Sequence, residues 1–209
     1  MVRSFIIKII ALCLVSFNAY ALDKVLLFGD SLMAGYGLPN EQHLYVVLEE
    51  DLKKSGHNIK VVNGSVSGST SSAGLNRAKW TLSEPDIDLV ILGLGANDML
   101  RGIKPSETEK NLEKIILAAK ENNIKVVLAG MYAPTTHGGQ FKKEFDKIYP
   151  YLAKKHNLTL IPFLLEGVAL NPKLNQSDGI HPNFEGTLIV SKKLKDTILN
   201  LKLISGKTD

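Results

Sequence analysis

The chain alternates short, continuous apolar runs with longer segments whose apolar residues recur at helical spacing. Each apolar run is hydrophobic almost throughout, whereas a half-exposed strand would be apolar at every second residue. Both faces of these strands are therefore expected to be covered, as they are in a parallel sheet. The predicted strands are KVLLF (24–28), IKVVN (59–63), IDLVILGLG (87–95), IKVVLAGM (124–131) and LTLIPF (158–163).

The segments between these runs predict helices. LYVVLEEDLKKSG (44–56) ends at a glycine, and NLEKIILAAKENN (111–123) places apolar residues three or four positions apart. Ser106 and Glu109 have the spacing of a capping box before the second of these helices. Further helices are predicted over 73–82, over 141–157 with an interruption near Pro150, and over 187–203.

Alternating strands and helices predict an α/β fold, a doubly wound parallel sheet with helices on both faces. In such sheets, ligands bind outside the carboxyl ends of the strands. The residues that follow each strand are therefore the first place to look for chemistry.

The first 21 residues differ from the rest of the chain. Arg3 and Lys8 precede an apolar run over 9–17, and Ala-Tyr-Ala closes the segment at 19–21. This is the arrangement of a secretory signal peptide with its cleavage site. The alternative is an uncleaved membrane anchor, but the run is short for a bilayer span. The prediction is a signal peptide over 1–21 and an exported protein, in the periplasm or otherwise in the medium.

Residues 22–209 are then expected to form a single domain without stable insertion in a membrane. Cys13, the only cysteine, lies in the signal segment, so cysteine nucleophiles, disulfides and thiolate metal sites are excluded from the mature chain. Without Arg3 and Lys8 the formal net charge of +4 falls by two, and the basic residues are interspersed with acidic ones. No nucleic-acid partner is predicted.

Polar and small residues collect after the predicted strands. Ser31 follows the first strand in GDSL, Gly68 lies in the Ser/Gly-rich loop after the second, and Asn97 follows the third. Asp178 and His181 occupy the last long loop. Each motif alone is most simply interpreted as a turn or a polar loop. Their common location at one edge of a parallel sheet instead favours a catalytic site.

These residue types suit nucleophilic catalysis. A serine hydroxyl needs a base within hydrogen-bond reach, which His181 can provide, and Asp178 can orient the imidazole. An acyl transfer also needs donors for the developing oxyanion. Asn97 offers a side-chain amide, Gly68 allows close approach of its backbone N–H, and Ser31 carries its own.

The blocks GDSL (29–32), SVSGSTSSAG (65–74), GAND (95–98) and DGIHPN (178–183) resemble the four blocks of the GDSL, or SGNH, hydrolases. Within this family, the chain resembles the exported bacterial thioesterase, lysophospholipase and arylesterase members. The resemblance implies a three-layer α/β/α sandwich of the flavodoxin-like kind, with a five-stranded parallel sheet. It also implies a serine ester hydrolase that needs no metal or cofactor and acts on a small acyl ester or a lysophospholipid.

The resemblance assigns roles residue by residue. Ser31 would be the nucleophile, His181 the base and Asp178 its orienting partner. The oxyanion hole would comprise the amides of Ser31 and Gly68 and the side chain of Asn97. Members usually carry a carboxylate where this chain has Ser69, which could alter how firmly the loop is held or which substrates bind.

Several apolar residues near these blocks are candidates for substrate contact, with ordinary packing as the alternative. A monomer is expected. Two other functions remain open: O-deacetylation of carbohydrate or peptidoglycan with the same residues, and an inactive protein that only binds a ligand. The candidate contact residues are Met99, Leu100, Met131, Tyr132 and Pro134.

Overall fold

The computed structural model describes residues 22–201 of the 209-residue chain. Five parallel strands form one sheet in the order β2-β1-β3-β4-β5. Every strand that the apolar pattern predicted is present, each within the predicted range or displaced by one residue at an end. The strands are β1 (Lys24–Gly29), β2 (Lys60–Asn63), β3 (Leu89–Gly93), β4 (Lys125–Ala129) and β5 (Thr159–Ile161).

Helices follow or connect the strands, and two short ones stand directly after β1 and β3. Single turns of 3-10 helix also occur at Asn40–Gln42 and Thr135–His137. The helices are α1 (Ser31–Ala34), α2 (Leu44–Lys54), α3 (Ser71–Thr81), α4 (Ala96–Leu100), α5 (Pro105–Glu121), α6 (Gly139–His156) and α7 (Phe184–Asn200).

Alternate residues of each strand point to opposite faces of the sheet and pack in two separate cores. Leu26 and Phe28 pack in the core that α3, α5 and α6 cover. Val25 and Leu27, on the same strand, pack in the core beneath α2 and α7. Because each strand is buried on both faces, it has to be apolar throughout, which confirms the predicted three-layer α/β/α sandwich.

The order of the strands defines where a ligand would bind. The chain leaves β1 for β2 on one side of the sheet and later returns to β3 on the other side. In open parallel sheets, this reversal creates a crevice at the carboxyl ends of the two strands on either side of it. Here that crevice lies between the ends of β1 and β3, which are followed by α1 and α4.

Two local predictions are wrong. Helix α5 begins at Pro105 with Lys104 as its N-cap, so Ser106 lies inside the helix and makes no capping box. Proline suits the first helical position, since it has no N–H to leave unpaired. Helix α6 continues through Pro150 without interruption. The buried residues Tyr149 and Leu152 on either side anchor both halves of this helix to the core.

The predicted signal peptide, including Cys13, lies outside the described residues and stays a prediction. Between residues 22 and 201, none of the helices is both long enough and apolar enough to cross a bilayer.

Candidate active site

Ser31 stands at the point where β1 ends and α1 begins. Gly29, the last residue of β1, is so closely packed that a Cβ there would meet Gly93 O at 2.7 Å and Met33 Sδ at 2.8 Å. Asp30 is the N-cap of α1 and its Oδ1 accepts a hydrogen bond of 3.1 Å from the Leu32 amide. The tight glycine and the capped helix together present Ser31 at the edge of the sheet.

Hydrogen bonds from neighbouring segments hold this turn in place. The Gly29 amide donates to Ser65 Oγ at 3.0 Å, and Arg77 Nη2 donates to the Gly29 carbonyl at 3.0 Å. Arg77 Nη1 also reaches the Gly64 carbonyl at 2.5 Å, and its guanidinium lies 3.9 Å from the ring centre of Phe28. Burial lowers the pKa of Arg77. One arginine therefore ties the end of β1 to the loop after β2.

Asp178 and His181 come from the loop between β5 and α7. Asp178 Oδ2 lies 2.6 Å from His181 Nδ1, and Oδ1 accepts the backbone amides of Ile180 and His181 at 2.9 and 3.0 Å. These hydrogen bonds lower the pKa of Asp178 to about 2. The largest effect comes from the His181 amide, followed by the His181 side chain and the Ile180 amide. Asp178 is therefore ionised at any physiological pH.

The same histidine faces Ser31. His181 Nε2 lies 2.9 Å from Ser31 Oγ, although 150 positions separate the two residues in the chain. The ring of Tyr36 stands 4.5 Å from the imidazole, centre to centre, at a tilt of 38°. Gln176 donates to the carbonyls of Tyr36 and Pro182 at 2.7 and 2.9 Å. These contacts join the Asp178–His181 loop to the segment that follows α1.

Gly68 and Asn97 complete the group that the sequence pointed to. Gly68 has φ +77°, a conformation that glycine adopts without strain, and its amide donates no hydrogen bond within residues 22–201. Asn97 is the second residue of α4, whose N-cap Gly95 has φ +117°. A cavity of about 230 Å³ is lined by Ser31, Gly68, Asn97 and His181. The structure thus places four of the five candidate residues around one cavity, with Asp178 behind His181.

Of the five candidate substrate residues, only Leu100 lines this cavity. Met99 and Met131 are buried in the core, and Tyr132 and Pro134 lie exposed on the loop after β4. Successive helical residues point in different directions, so α4 turns Leu100 to the cavity and Met99 inward. The apolar wall instead includes residues that the sequence analysis did not single out: Leu32, Tyr36, Ala96 and Ile180.

A larger groove of about 450 Å³ lies at the opposite edge of the sheet, beside Lys125, Thr159 and Leu201. It contains none of the candidate residues, and ligands of parallel sheets bind at the other edge. The smaller cavity is therefore the candidate active site.

Asp30 is a further ionisable group at this site, and the sequence analysis gave it no role. Its side chain is buried, and Oδ2 has no hydrogen-bond partner within the described residues. Burial raises the pKa of Asp30 to about 6, against the opposing effects of the Leu32 amide and the nearby Asn97 side chain. The sequence Gly-Asp-Ser does place an aspartate directly before the candidate serine. Because aspartate is also common in turns, its position alone did not indicate a role.

Ser69, where relatives were expected to carry a carboxylate, is buried. Its backbone amide donates to the Val66 carbonyl at 3.1 Å, which closes the turn around Gly68. The turn therefore keeps its backbone hydrogen bond with serine at this position.

A serine, a histidine and an aspartate in hydrogen-bond sequence, at the carboxyl edge of a parallel α/β sheet, form an arrangement that is typical of hydrolases with a serine nucleophile. The model of the GDSL-like Lipase/Acylhydrolase family matches residues 27–188, and the chain belongs to this family.

The named relatives agree with this assignment. The chain is 39% identical over 165 residues to an arylesterase of Vibrio mimicus, covering 79% of this chain and 82% of the relative. It is 38% identical over 172 residues to thioesterase 1/protease 1/lysophospholipase L1 of Escherichia coli K12, covering 82% and 81%. The crystal structure of AlinE4, an SGNH-hydrolase family esterase, superposes with a TM-score of 0.73 at 42% identity, over 85% of this chain and 95% of that one. The chain is accordingly a carboxylic ester hydrolase.

Proposed function

We propose that this protein cleaves acyl esters and thioesters through an acyl-enzyme on Ser31, with His181 as the base and Asp178 as its orienting partner. One observation carries the proposal. Two consecutive contacts, of 2.6 Å from Asp178 to His181 and of 2.9 Å from His181 to Ser31, end at the cavity. In a polar loop without a catalytic role, nothing would require this alignment.

In the first half-reaction, Ser31 Oγ attacks the acyl carbonyl carbon and His181 Nε2 accepts the hydroxyl proton. The carbonyl oxygen becomes an oxyanion, which receives hydrogen bonds from the amides of Ser31 and Gly68 and from the side chain of Asn97. When the tetrahedral intermediate collapses, the imidazolium returns its proton to the departing alcohol or thiol. The acyl group is then an ester of Ser31.

In the second half-reaction, His181 takes a proton from water, whose oxygen attacks the acyl carbon. The second intermediate releases the carboxylic acid, and Ser31 recovers its proton from His181. In both halves, the ionised Asp178 holds the imidazole in one tautomer and stabilises its charged form.

The lining of the cavity favours substrates that place an apolar acyl or aryl group in it. Its lining is largely apolar, and Tyr36, Leu100 and Ile180 are each about half exposed at its rim. The names of the relatives, an arylesterase and a thioesterase/lysophospholipase, favour aryl esters, acyl thioesters and lysophospholipids as the substrate range. We propose these substrates for a monomeric, exported protein, in the periplasm or otherwise in the medium. Export predicts that the mature protein, purified from outside the cytoplasm, begins near Leu22.

The test is hydrolysis of p-nitrophenyl acetate, butyrate and palmitate by the wild type and by Ser31→Ala and His181→Ala. Each variant is expected to lose about 10³-fold or more in kcat on every ester that the wild type cleaves. Matched controls are Ser83→Ala and His57→Ala, which remove a serine and a histidine at the opposite edge of the sheet. Activity of Ser31→Ala equal to the wild type would contradict the mechanism. Turnover of acetate alone would favour O-deacetylation.

A further inference from the structure

The two candidate oxyanion donors outside α1 come from strands that do not touch. Gly68 follows β2 and Asn97 follows β3, while β1 lies between these strands in the sheet. Pairing within the sheet therefore does not fix the distance between the Gly68 amide and the Asn97 side chain. Contacts between the two loops fix it more directly.

A buried contact joins the loops on the inner side. Asp98 is fully buried, and its Oδ2 accepts the Ser71 amide at 2.7 Å while its Oδ1 accepts the Ser71 hydroxyl at 2.5 Å. Ser71 is the first residue of α3 and follows Gly68 by three positions. Thr108 Oγ1 and Asn111 Nδ2, both on α5, donate to Asp98 and to Ser71 at 3.2 and 3.0 Å. The residue next to Asn97 is thus bonded to the helix that Gly68 leads into.

A second, exposed contact joins the loops on the outer side. Arg101, which directly follows α4, donates from Nη2 to the Gly68 carbonyl at 3.0 Å. Gly68 adopts φ +77°, and because glycine has no Cβ its backbone rotates more freely than that of another residue. The Gly68 carbonyl belongs to the same peptide group as the Ser69 amide, which donates to the Val66 carbonyl at 3.1 Å. Holding it restricts ψ of Gly68 and so anchors the Cα atom that follows the Gly68 amide.

We propose that Asp98 and Arg101 are positioning residues that set the spacing of the Gly68 and Asn97 donors. Together the Asp98–Ser71 and Arg101–Gly68 contacts form what we call the α4 clasp, with two hydrogen bonds on the inner side of the loop pair and one on the outer side. This inference rests on the proposed acyl transfer, in which both donors bind the same oxygen. Donors that are fixed in advance stabilise a transition state, and a displacement of about 1 Å removes much of that effect.

The exposed half of the clasp is tested with Arg101→Met on p-nitrophenyl acetate. This uncharged ester gives a cationic side chain nothing to attract. We expect kcat to fall about 10-fold, less than the roughly 10²-fold or more that follows removal of a donor, with KM within about twofold of the wild type. The matched control is Lys104→Met, which removes a positive charge from the same exposed segment and should leave kcat unchanged.

A double substitution separates positioning from other roles. The spacing between the Gly68 amide and the Asn97 side chain matters only while both of these donors are present, so Arg101→Met in an Asn97→Ala background should cost less than about threefold in kcat. A full 10-fold cost in that background would overturn the proposal, because Arg101 would then act independently of the donor pair. Equal kcat for Arg101→Met and Lys104→Met would also overturn it.

The buried half of the clasp has its own matched pair. Ser71 and Ser191 are both fully buried and both donate a hydroxyl to an aspartate, Asp98 at 2.5 Å and Asp51 at 2.7 Å respectively. Ser71→Ala and Ser191→Ala should lower Tm by similar amounts, but only Ser71→Ala should lower kcat, about fivefold. Equal kcat in these two variants would contradict the buried half. The proposed function is tested separately, because Ser31→Ala should lose ester hydrolysis whether or not the α4 clasp positions the donors.

Discussion

Two carboxylates of the active site, Asp30 next to Ser31 in the chain and Asp178 behind His181, have opposite properties. Asp178 lies on a loop with 37% of its side chain exposed, accepts three hydrogen bonds, and has its pKa lowered to about 2. Asp30 is 1% exposed, accepts one hydrogen bond from Leu32, and has its pKa raised to about 6 by burial. The same residue type is thus stabilised as an anion at position 178 and destabilised as an anion at position 30.

This difference indicates which carboxylate can serve His181. A partner for an imidazolium has to remain charged at working pH and has to face the ring, and Asp178 meets both conditions. Asp30 caps α1, and its burial beside Asn97 suits a role in shaping the turn. Pairs of carboxylates whose pKa values diverge are a recurring feature of catalytic sites.

The largest predicted contrast is between Asp178→Asn and Asp30→Asn. Asparagine at 178 cannot stabilise the imidazolium, so we expect kcat for p-nitrophenyl butyrate to fall about 10³-fold. Asparagine at 30 can still cap α1, so we expect a loss below about 10-fold. Steady-state kinetics at pH 8 measure both. Equal losses of kcat in the two variants would contradict the different roles given to Asp178 and Asp30.

The second prediction concerns Asn97, beside Asp30 on the buried side. Asn97→Ala removes one oxyanion donor and should lower kcat about 10²-fold to 10³-fold, with a smaller change in KM. Asn122→Ala is the matched control, because the side chain of Asn122 donates to the Ala118 carbonyl near the end of α5, at the opposite edge of the sheet. A KM effect without a kcat effect would assign Asn97 to ground-state binding.

The third prediction uses stability against pH. Because the pKa of Asp30 is raised on folding, the folded state holds its proton more tightly, and stability falls as pH rises from about 4 to about 6. A difference of about two pKa units corresponds to about 3 kcal/mol. Asp30→Asn should remove this loss, so that its free energy of unfolding exceeds that of the wild type at pH 8 but not at pH 4.

Urea denaturation at pH 4, 6 and 8 provides the measurement. The contribution of Asp178 to stability is nearly constant in this window. Its lowered pKa stabilises the folded state above the pKa of the unfolded chain, and this stabilisation is lost only as pH falls from about 4 towards about 2. Asp178→Asn is therefore the control and should keep the pH dependence of the wild type. A wild-type curve that is parallel to that of Asp30→Asn would contradict the buried, raised pKa.

The smallest predicted effect concerns the cavity wall. Leu100→Ala removes part of the apolar lining, so kcat/KM for butyrate should fall about 10-fold relative to acetate. Tyr132→Ala, on the exposed loop after β4, should leave this ratio unchanged. A change of the ratio in Tyr132→Ala alone would move the acyl site to that loop.

The sequence predicted the sheet well because a doubly buried strand has to be apolar at successive positions, as in Leu26 and Leu27. It also indicated that Ser31, Gly68, Asn97 and His181 share an edge, since parallel strands present their carboxyl ends together. The short helices α1 and α4 were missed, because four or five residues are too few to show a helical period.

Contacts between distant segments could not be predicted from local patterns. Asp98 and Ser71 are 27 positions apart, and Arg101 and Gly68 are 33 apart. Nothing near Arg101 in the chain indicates which carbonyl it binds. Likewise, the direction of Met99 into the core and of Leu100 to the cavity depends on how α4 is docked, which only the tertiary structure defines.

Trapping the nucleophile tests most directly whether His181 activates Ser31. The protein is incubated with an alkyl fluorophosphonate, which phosphonylates activated serines, and the adduct is located by peptide mass spectrometry. We expect one equivalent of adduct on Ser31, none in Ser31→Ala, and labelling about 10³-fold slower in His181→Ala. An adduct on another residue, or unlabelled Ser31 in a protein whose esterase activity the reagent abolishes, would contradict it.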